Sequence, residues 1–339
     1  MGVHNGEAFL SETLASIAAQ TFQDYEFVIV DDASCDGTAA LLAQAAERDQ
    51  RIRVFTNDSN MGLTWSLNRG LDEARGDYIA RIDADDICLP DRLAVQHAHM
   101  ERHRDEVGIT SGFNVIDGDG DHVRSSDEEL DDWQVRWLLG WNPPAPHPTF
   151  FFRRKPDGKT PIRYDEEFKT AQDFDLWSRL SAIGPTRRLP DILIQYRRHD
   201  GAITHAKRQE QAQNCAIIGR RNLAERLPGS VARKLEPLIA MFSYNLKADR
   251  GSIQTVIAAA DEMTAIDCAD APSAQHRQWV RKMTAGLLAD AILSRAGGLS
   301  SPSAMAAFLW FGRGHLPHLA RAVLSDPGTA LKSLRARNR

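Results

Sequence analysis

Twice near its start the chain runs an apolar stretch straight into clustered carboxylates. Phe27-Val28-Ile29-Val30 breaks off at Asp31-Asp32, and Tyr78-Ile79-Ala80-Arg81-Ile82 at Asp83-Ala84-Asp85-Asp86. A short apolar run bounded this way reads as a buried strand with acid at its carboxyl end. A turn and a helix near 38–48 follow the first strand, then a short strand at Ile52-Arg53-Val54-Phe55 and a helix near 63–74 that precedes the second. This strand-turn-helix rhythm predicts an α/β fold, a mostly parallel sheet flanked by helices. Ligands of such sheets bind beyond the carboxyl ends of the strands, where both acidic clusters fall.

The rest of the chain extends the pattern. Phe9, Leu10, Leu14 and Ile17 recur at helical spacing, predicting a helix near 6–20 with Asn5 as N-cap. Pro90 suits the first turn of a further helix, where its missing N–H is no loss. Asp117 to Asp132 holds eight acids broken by one arginine and reads as a solvated acidic loop. A strand is expected at Thr149–Phe152, a helix over Asp173–Ile183 and a strand at Ile192-Leu193-Ile194. Beyond residue 205 the composition turns to Ala, Leu, Arg, Gln and Glu, with helices near 206–226, 231–248, 251–265 and 273–294. Residues 1–204 thus form the α/β domain and 205–339 a helical C-terminal extension.

Composition removes several classes of function. Forty-one Lys and Arg against 46 Asp and Glu leave a net charge of −5, which argues against a broad nucleic-acid footprint. Cys35, Cys88, Cys215 and Cys268 are scattered and form no CxxC, so neither a disulfide scaffold nor a structural zinc site is expected. No stretch approaches the ~18 unbroken apolar residues of a membrane span, and Ala304 to Phe311 is far too short. Without a signal-peptide pattern, the cytoplasm is the expected compartment. The acid-free tail Leu331–Arg339 carries Lys332, Arg335, Arg337 and Arg339. It reads either as a solvated terminus or as a peripheral contact with an anionic membrane face.

Carboxylate oxygens are the hard ligands that Mg²⁺ and Mn²⁺ prefer, often shared with a substrate's phosphates. Asp83 and Asp85 reach one point if the turn after their strand curls. Asp31 and Asp32 either accept hydrogen bonds from a nucleobase or ribose or cap the turn that follows. Asp173 also fits the N-cap of its helix, a role compatible with a chemical one.

Taken in order, the motifs resemble the inverting family 2 glycosyltransferases. They are Val3-His4-Asn5-Gly6-Glu7, Gln20-Thr21-Phe22, Glu26 through Thr38, Asn60-Met61-Gly62, Asn68-Arg69-Gly70, Gly76 through Asp86 and Pro90-Asp91-Arg92-Leu93. Ala171-Gln172-Asp173 through Leu180 and Tyr196-Arg197-Arg198-His199 are similar to the family's acceptor-side motifs. The resemblance covers residues 2–204 and implies a GT-A fold, a nucleotide-diphosphate sugar donor and a glycan or lipid-linked acceptor in cell-envelope polysaccharide synthesis. It implies nucleoside binding by Asp31 and Asp32, with Asp32 favoured for the base, and a nucleotide border at Val3 and Asn5. Asp83 and Asp85 would hold the divalent metal, Asp85 the more directly, and His199 would contact phosphate or metal.

Asp173 takes the place of the family's general base, with Gln172 where a glutamate is usual. Losing that like charge should lower the Asp173 pKa and weaken the base slightly. His147, Gln172 and Trp177 fall on the acceptor side, and Trp133, Trp137 and Trp141 either stack on a sugar or pack. Two other readings compete: a silent nucleotide-sugar-binding protein, and a nucleotidyltransferase, which would want a Gly-rich basic loop that the chain lacks. Because the family leads a buried strand into Val3-His4-Asn5, the first strand is expected to be truncated, with the start late by roughly ten residues.

Overall fold

The computed structural model describes residues 1–199, 207–235 and 250–295. Contacts divide the chain into two units, Met1–Asn214 and Cys215–Arg339.

In the first unit, strand β2 (Phe27–Asp31) is buried at every position, as its unbroken apolar run demands. It lies between β1 (Gly2–Val3) and β3 (Ile52–Thr56), all parallel, in the order β1-β2-β3. Val3 pairs with Asp31 and Asp31 with Thr56, so the carboxyl ends of the strands share one edge. Helices α1 (Glu7–Ala18) and α2 (Thr38–Arg48) supply the crossovers, and α3 (Leu63–Glu73) leads from β3 towards the second sheet. Leu10, Ile17, Ile29 and Leu42 meet in the core beneath them.

The second acid-tipped strand, β4 (Tyr78–Ala80), enters another sheet with β5 (Ile87–Cys88), β6 (Gly108–Ile116), β7 (His122–Ser126), β8 (Phe151–Arg153) and β9 (Thr186–Arg197). The order is β4-β8-β6-β9-β5, with β7 on β6. Parallel pairing here joins β6 to β9, while the β4–β8, β6–β8, β5–β9 and β6–β7 pairs are antiparallel. Helices α4 (Arg92–Arg102), α5 (Asp132–Leu138) and α6 (Gln172–Ile183) complete this unit.

Several local expectations are corrected. Asn5 is not the cap of α1: Gly6 takes that position, and Asn5 stands in the left-handed region at φ 52° with its side chain turned to the 34–35 loop. Pro90 lies before Asp91, the N-cap of α4, instead of inside the first turn. The acidic stretch is no plain loop, since residues 122–126 form β7 and Asp131 caps α5 in a reciprocal capping box with Gln134. The apolar run at 149–152 splits into a 3₁₀ turn, His147–Thr149, and then β8.

In the second unit, helices over Gly229–Lys234 (α8), Arg250–Asp270 (α9) and Ala274–Arg295 (α10) follow α7 (Arg208–Arg226), which begins in the first unit. Val231, Leu235, Ala259, Ala260, Met263, Val280 and Leu288 are buried. Arg226 pairs with the buried Asp267 at 2.5 Å, and Lys234 with Glu262 at 2.8 Å. Most of the helix expected near 231–248, the 304–311 segment and the basic tail lie outside the described residues. Among the described residues, no helix is long and apolar enough to cross a membrane.

Candidate active site

The first acid pair is held from within. Asp32 is buried, and its Oδ1 accepts from Asn57 Nδ2 at 2.6 Å and Met61 N at 2.8 Å, while Oδ2 accepts from Gly62 N at 2.7 Å. A carboxylate offers about four acceptor positions, so three protein donors nearly fill it. The side chain expected to meet a base therefore fastens the Asn60-Met61-Gly62 loop, where Gly62 adopts φ 91°. Asp31 turns one oxygen, Oδ1, to Ser34, accepting from its amide at 3.1 Å and its hydroxyl at 2.5 Å.

The turn after β2 captures the start of the chain. Val3 O accepts from Asp32 N at 2.7 Å, and Asn5 N–H donates to Ser34 Oγ at 2.9 Å while Asn5 Oδ1 accepts from Cys35 N at 2.8 Å. Asn5 and Ala33, with φ 56°, are both left-handed although neither is glycine. Such backbone persists only where its surroundings over-determine it, and it gathers at functional sites.

The second acid cluster stands beside this loop, for a Cβ on Gly6 would lie 3.5 Å from that of Ala84. α1 steadies it through Thr13 Oγ1, which donates to Asp86 O at 2.8 Å. From α4, the buried Arg92 guanidinium reaches Arg81 O at 2.7 Å and Phe150 O at 3.3 Å, which fixes the end of β4. β9 closes the third side. Arg197 N–H donates to Asp86 Oδ1 at 2.7 Å, its Nε to Asp85 O at 3.0 Å, and His199 Nε2 lies 3.0 Å from Asp85 Oδ2. Arg81 pairs with Asp83.

Asp83, Asp85 and Asp86 bring a carboxylate oxygen each within 4.8 Å of one another. Burial, then the neighbouring Asp85 and Asp83, push the Asp86 carboxyl well above the usual carboxylate range. Burial and Asp83 also raise Asp85, against the opposing pull of His199. Among the described residues, the fully buried Asp86 Oδ2 has no hydrogen-bond partner. Three crowded oxygen donors, one of them orphaned, fit a hard divalent cation.

Asp173 sits in the first turn of α6, but Ala171, left-handed at φ 57°, is the N-cap, and Asp173 Oδ1 accepts from the adjacent Phe174 N at 2.9 Å. Desolvation raises its pKa, the Phe174 amide and Arg81 opposing and Asp83 adding, so these side chains share one electrostatic neighbourhood. The rise is measured from the ordinary aspartate value, and desolvation is its largest cause; Gln172 is not among the causes.

The expected acceptor-side residues are less open. Trp177 is core, fully buried against Phe150 at a 4.4 Å ring distance, which corrects its placement beside an acceptor. Gln172 is also buried. His147 is buried with Nε2 2.8 Å from Tyr164 Oη, and burial, then Arg81, lower its pKa well below the ordinary value. Trp137 and Trp141 are buried and pack against each other. Arg81 and Tyr164 were not singled out from sequence. A lone arginine inside an apolar strand was the available signal for the first, whereas Tyr164 gave none.

The glycosyl transferase family 2 model matches residues 1–163. A putative glycosyltransferase, EpsE, of Bacillus subtilis is 36% identical over 184 residues, covering 53% of this chain and 64% of its own length. An uncharacterized glycosyltransferase of Methanocaldococcus jannaschii is 31% identical over 209 residues, covering 60% of this chain and 71% of its own. The O-antigen biosynthesis glycosyltransferase WbnJ of Escherichia coli is 28% identical, covering 59% and 78%. Among solved structures, S. aureus TarS 1–349 in complex with UDP superposes with a TM-score of 0.55 at 16% identity, over 96% of this chain and 90% of that one. Its complex with UDP-GlcNAc matches with the same score, identity and coverage. With the α/β fold shared with that enzyme and this likeness in sequence, the chain belongs to glycosyl transferase family 2.

Proposed function

We propose that the protein is an inverting glycosyltransferase. It moves a sugar from a nucleotide-diphosphate donor to a hydroxyl of a glycan or lipid-linked acceptor in cell-envelope polysaccharide synthesis, at the cytoplasmic face. The observation that carries this reading is a desolvated aspartate, Asp173, placed where it feels the charges of Arg81 and of Asp83 in the acidic cluster. Relatives named for O-antigen, amylovoran and teichuronic acid biosynthesis support the polysaccharide. The UDP and UDP-GlcNAc complexes of TarS support a UDP-sugar donor.

In this mechanism the loop shaped by Asp32 and bordered by Val3 and Asn5 receives the nucleoside, and Asp31 accepts from it. Asp83, Asp85 and Asp86 would hold Mg²⁺ or Mn²⁺, which supplies positive charge for the diphosphate leaving group. His199 orients Asp85. Asp173 takes the proton from the acceptor hydroxyl, which attacks the anomeric carbon on the face opposite the diphosphate, so configuration inverts. A raised pKa strengthens a base of this kind, since the Brønsted optimum lies near the working pH.

The test incubates the full chain with UDP-, GDP- and dTDP-sugars, Mn²⁺ and a lipid-linked oligosaccharide extract, and reads the product anomer by NMR. Asp173→Asn should lose about 10²- to 10⁴-fold in transfer while still binding UDP. The wild-type rate should fall as pH drops through a pKa above the ~3.9 of an ordinary aspartate, because the base must be ionised. Full activity in Asp173→Asn, or retained anomeric configuration, would overturn the mechanism.

A further inference from the structure

At the opposite end of α4 from the acidic loop, two histidines and a glutamate converge. His99 lies in the last turn of α4 and His103 is its C-cap, four residues on and therefore on the same face. Their rings stack with centroids 4.3 Å apart and planes 24° apart. The chain then turns back at once. Glu106 N–H donates to His103 O at 3.1 Å, and the buried Glu106 side chain sets Oε2 2.8 Å from His99 Nε2. Arg187 of β9 anchors the other carboxylate oxygen at 2.9 Å. One potential ligand atom from each of His99, His103 and Glu106 lies within 4.8 Å of the other two.

We infer that His99, His103 and Glu106 form a second divalent-metal site, selective for a borderline ion such as Zn²⁺ and separate from the acidic cluster. Two imidazoles and one carboxylate are a zinc donor set, with a fourth position left to water. The all-oxygen cluster at Asp83–Asp86 favours Mg²⁺ and Mn²⁺, so the two sites sort ions by ligand chemistry. Zinc draws its ligands to about 2.0–2.2 Å. His99 and Glu106 are already in contact, and the exposed His103 has the freedom to swing onto the ion. Arg187 supplies the outer hydrogen bond that fixes the carboxylate. Metal replaces the proton shared by His99 and Glu106 and ties the end of α4 to the start of β6. The inference does not depend on the donor chemistry proposed above.

The full chain, stripped with a chelator and dialysed, is titrated with Co²⁺ while visible absorption is followed. One equivalent should bind with the intense d–d bands of a four-coordinate nitrogen and oxygen site. Zn²⁺ should abolish the bands and excess Mg²⁺ should leave them. His103→Ala should weaken Zn²⁺ binding at least tenfold with an unchanged metal-free melting temperature, since the side chain is exposed. Asp85→Asn should leave the Co²⁺ spectrum intact. The site is refuted if no bands appear at stoichiometric Co²⁺, if His103→Ala binds as tightly as wild type, or if Asp85→Asn removes the spectrum. Any of these would leave His99 and Glu106 as a hydrogen-bonded pair beside a stacked imidazole.

Discussion

Two strand ends carry nearly the same sequence signature, yet the fold treats their acids in opposite ways. At the end of β2, Asp32 is met by three of the protein's own donors and Asp31 by Ser34. At the end of β4, Asp83, Asp85 and Asp86 crowd one another, and among the described residues Asp86 Oδ2 has no partner. In the first pair Asp32 is nearly satisfied by folding and Asp31 on one oxygen only; the second cluster is left in deficit of positive charge. A buried carboxylate accepting several N–H groups shapes a loop, whereas carboxylates facing one another call for a cation. The same letters thus build a loop in one place and, in the other, a cluster whose donors fit a cation.

Between the two acid clusters, the larger expected effect comes from the second. Asp85→Asn removes one proposed ligand and a charge, and transfer should fall about 10²- to 10³-fold, the scale of losing one electrostatic contact to a developing charge. Thermal stability in chelator should stay level or rise, because like-charge crowding is relieved. A large loss of metal-free stability in this variant would erase the contrast between the clusters.

Asp32→Ala tests the other side. It strands the amides of Met61 and Gly62 and the Asn57 side chain, and hydrogen bonds to a charged acceptor contribute about 1.5–3 kcal/mol each, non-additively. A loss of about 2–4 kcal/mol in urea unfolding is expected, on the scale of a broken buried network. Were stability unchanged and donor affinity alone abolished, Asp32 would be a ligand contact and not the fastening of a loop.

Cation removal sharpens the comparison next. Mn²⁺ at about 100 times its dissociation constant should stabilise the protein by ~2.7 kcal/mol. Chelator should remove that gain in wild type and have no effect in Asp85→Asn beyond any shift from the His99 cluster. Equal stabilisation in the two proteins would show that the ion binds elsewhere.

These distinctions mark where the sequence stops being informative. β2 was legible because all of its residues are buried, so composition alone encodes it. β6, central to the second sheet, escaped notice because Thr110, Ser111, Gly112 and Asn114 break its apolar run. β9 was seen only at 192–194, since Pro190 and Asp191 imitate a turn. In the structure that segment faces Gly112, where the register shifts and a Cβ would lie 2.7 Å from Pro190 O. The acids of the site were legible because they are contiguous in sequence. Their partners were not: the Asp32–Gly62, Asp86–Arg197 and His147–Tyr164 contacts join separate motifs. The left-handed backbone of Ala33 and Ala171 leaves no trace in residue type, whereas Asn5 is of a type that tolerates it.

The smallest effect concerns Asp31, and it separates folding from binding most finely. In Asp31→Asn the amide oxygen still accepts from Ser34 N and Oγ, so the turn survives and stability should change by no more than about 0.5 kcal/mol, as for a substitution that breaks no contact. What disappears is the charge. A hydrogen bond to an ionised acceptor exceeds a neutral one by about 1 kcal/mol, so UDP should bind roughly fivefold more weakly, read by calorimetry at saturating Mn²⁺. If UDP affinity is unchanged, Asp31 belongs wholly with Asp32 as loop architecture, and the β2 end contributes shape to the nucleotide but no direct charge. If affinity collapses together with stability, the turn depends on the negative charge itself. A modest loss of affinity on an intact fold would divide the first acid pair between its two members, Asp32 facing inward to the loop and Asp31 outward to the nucleoside.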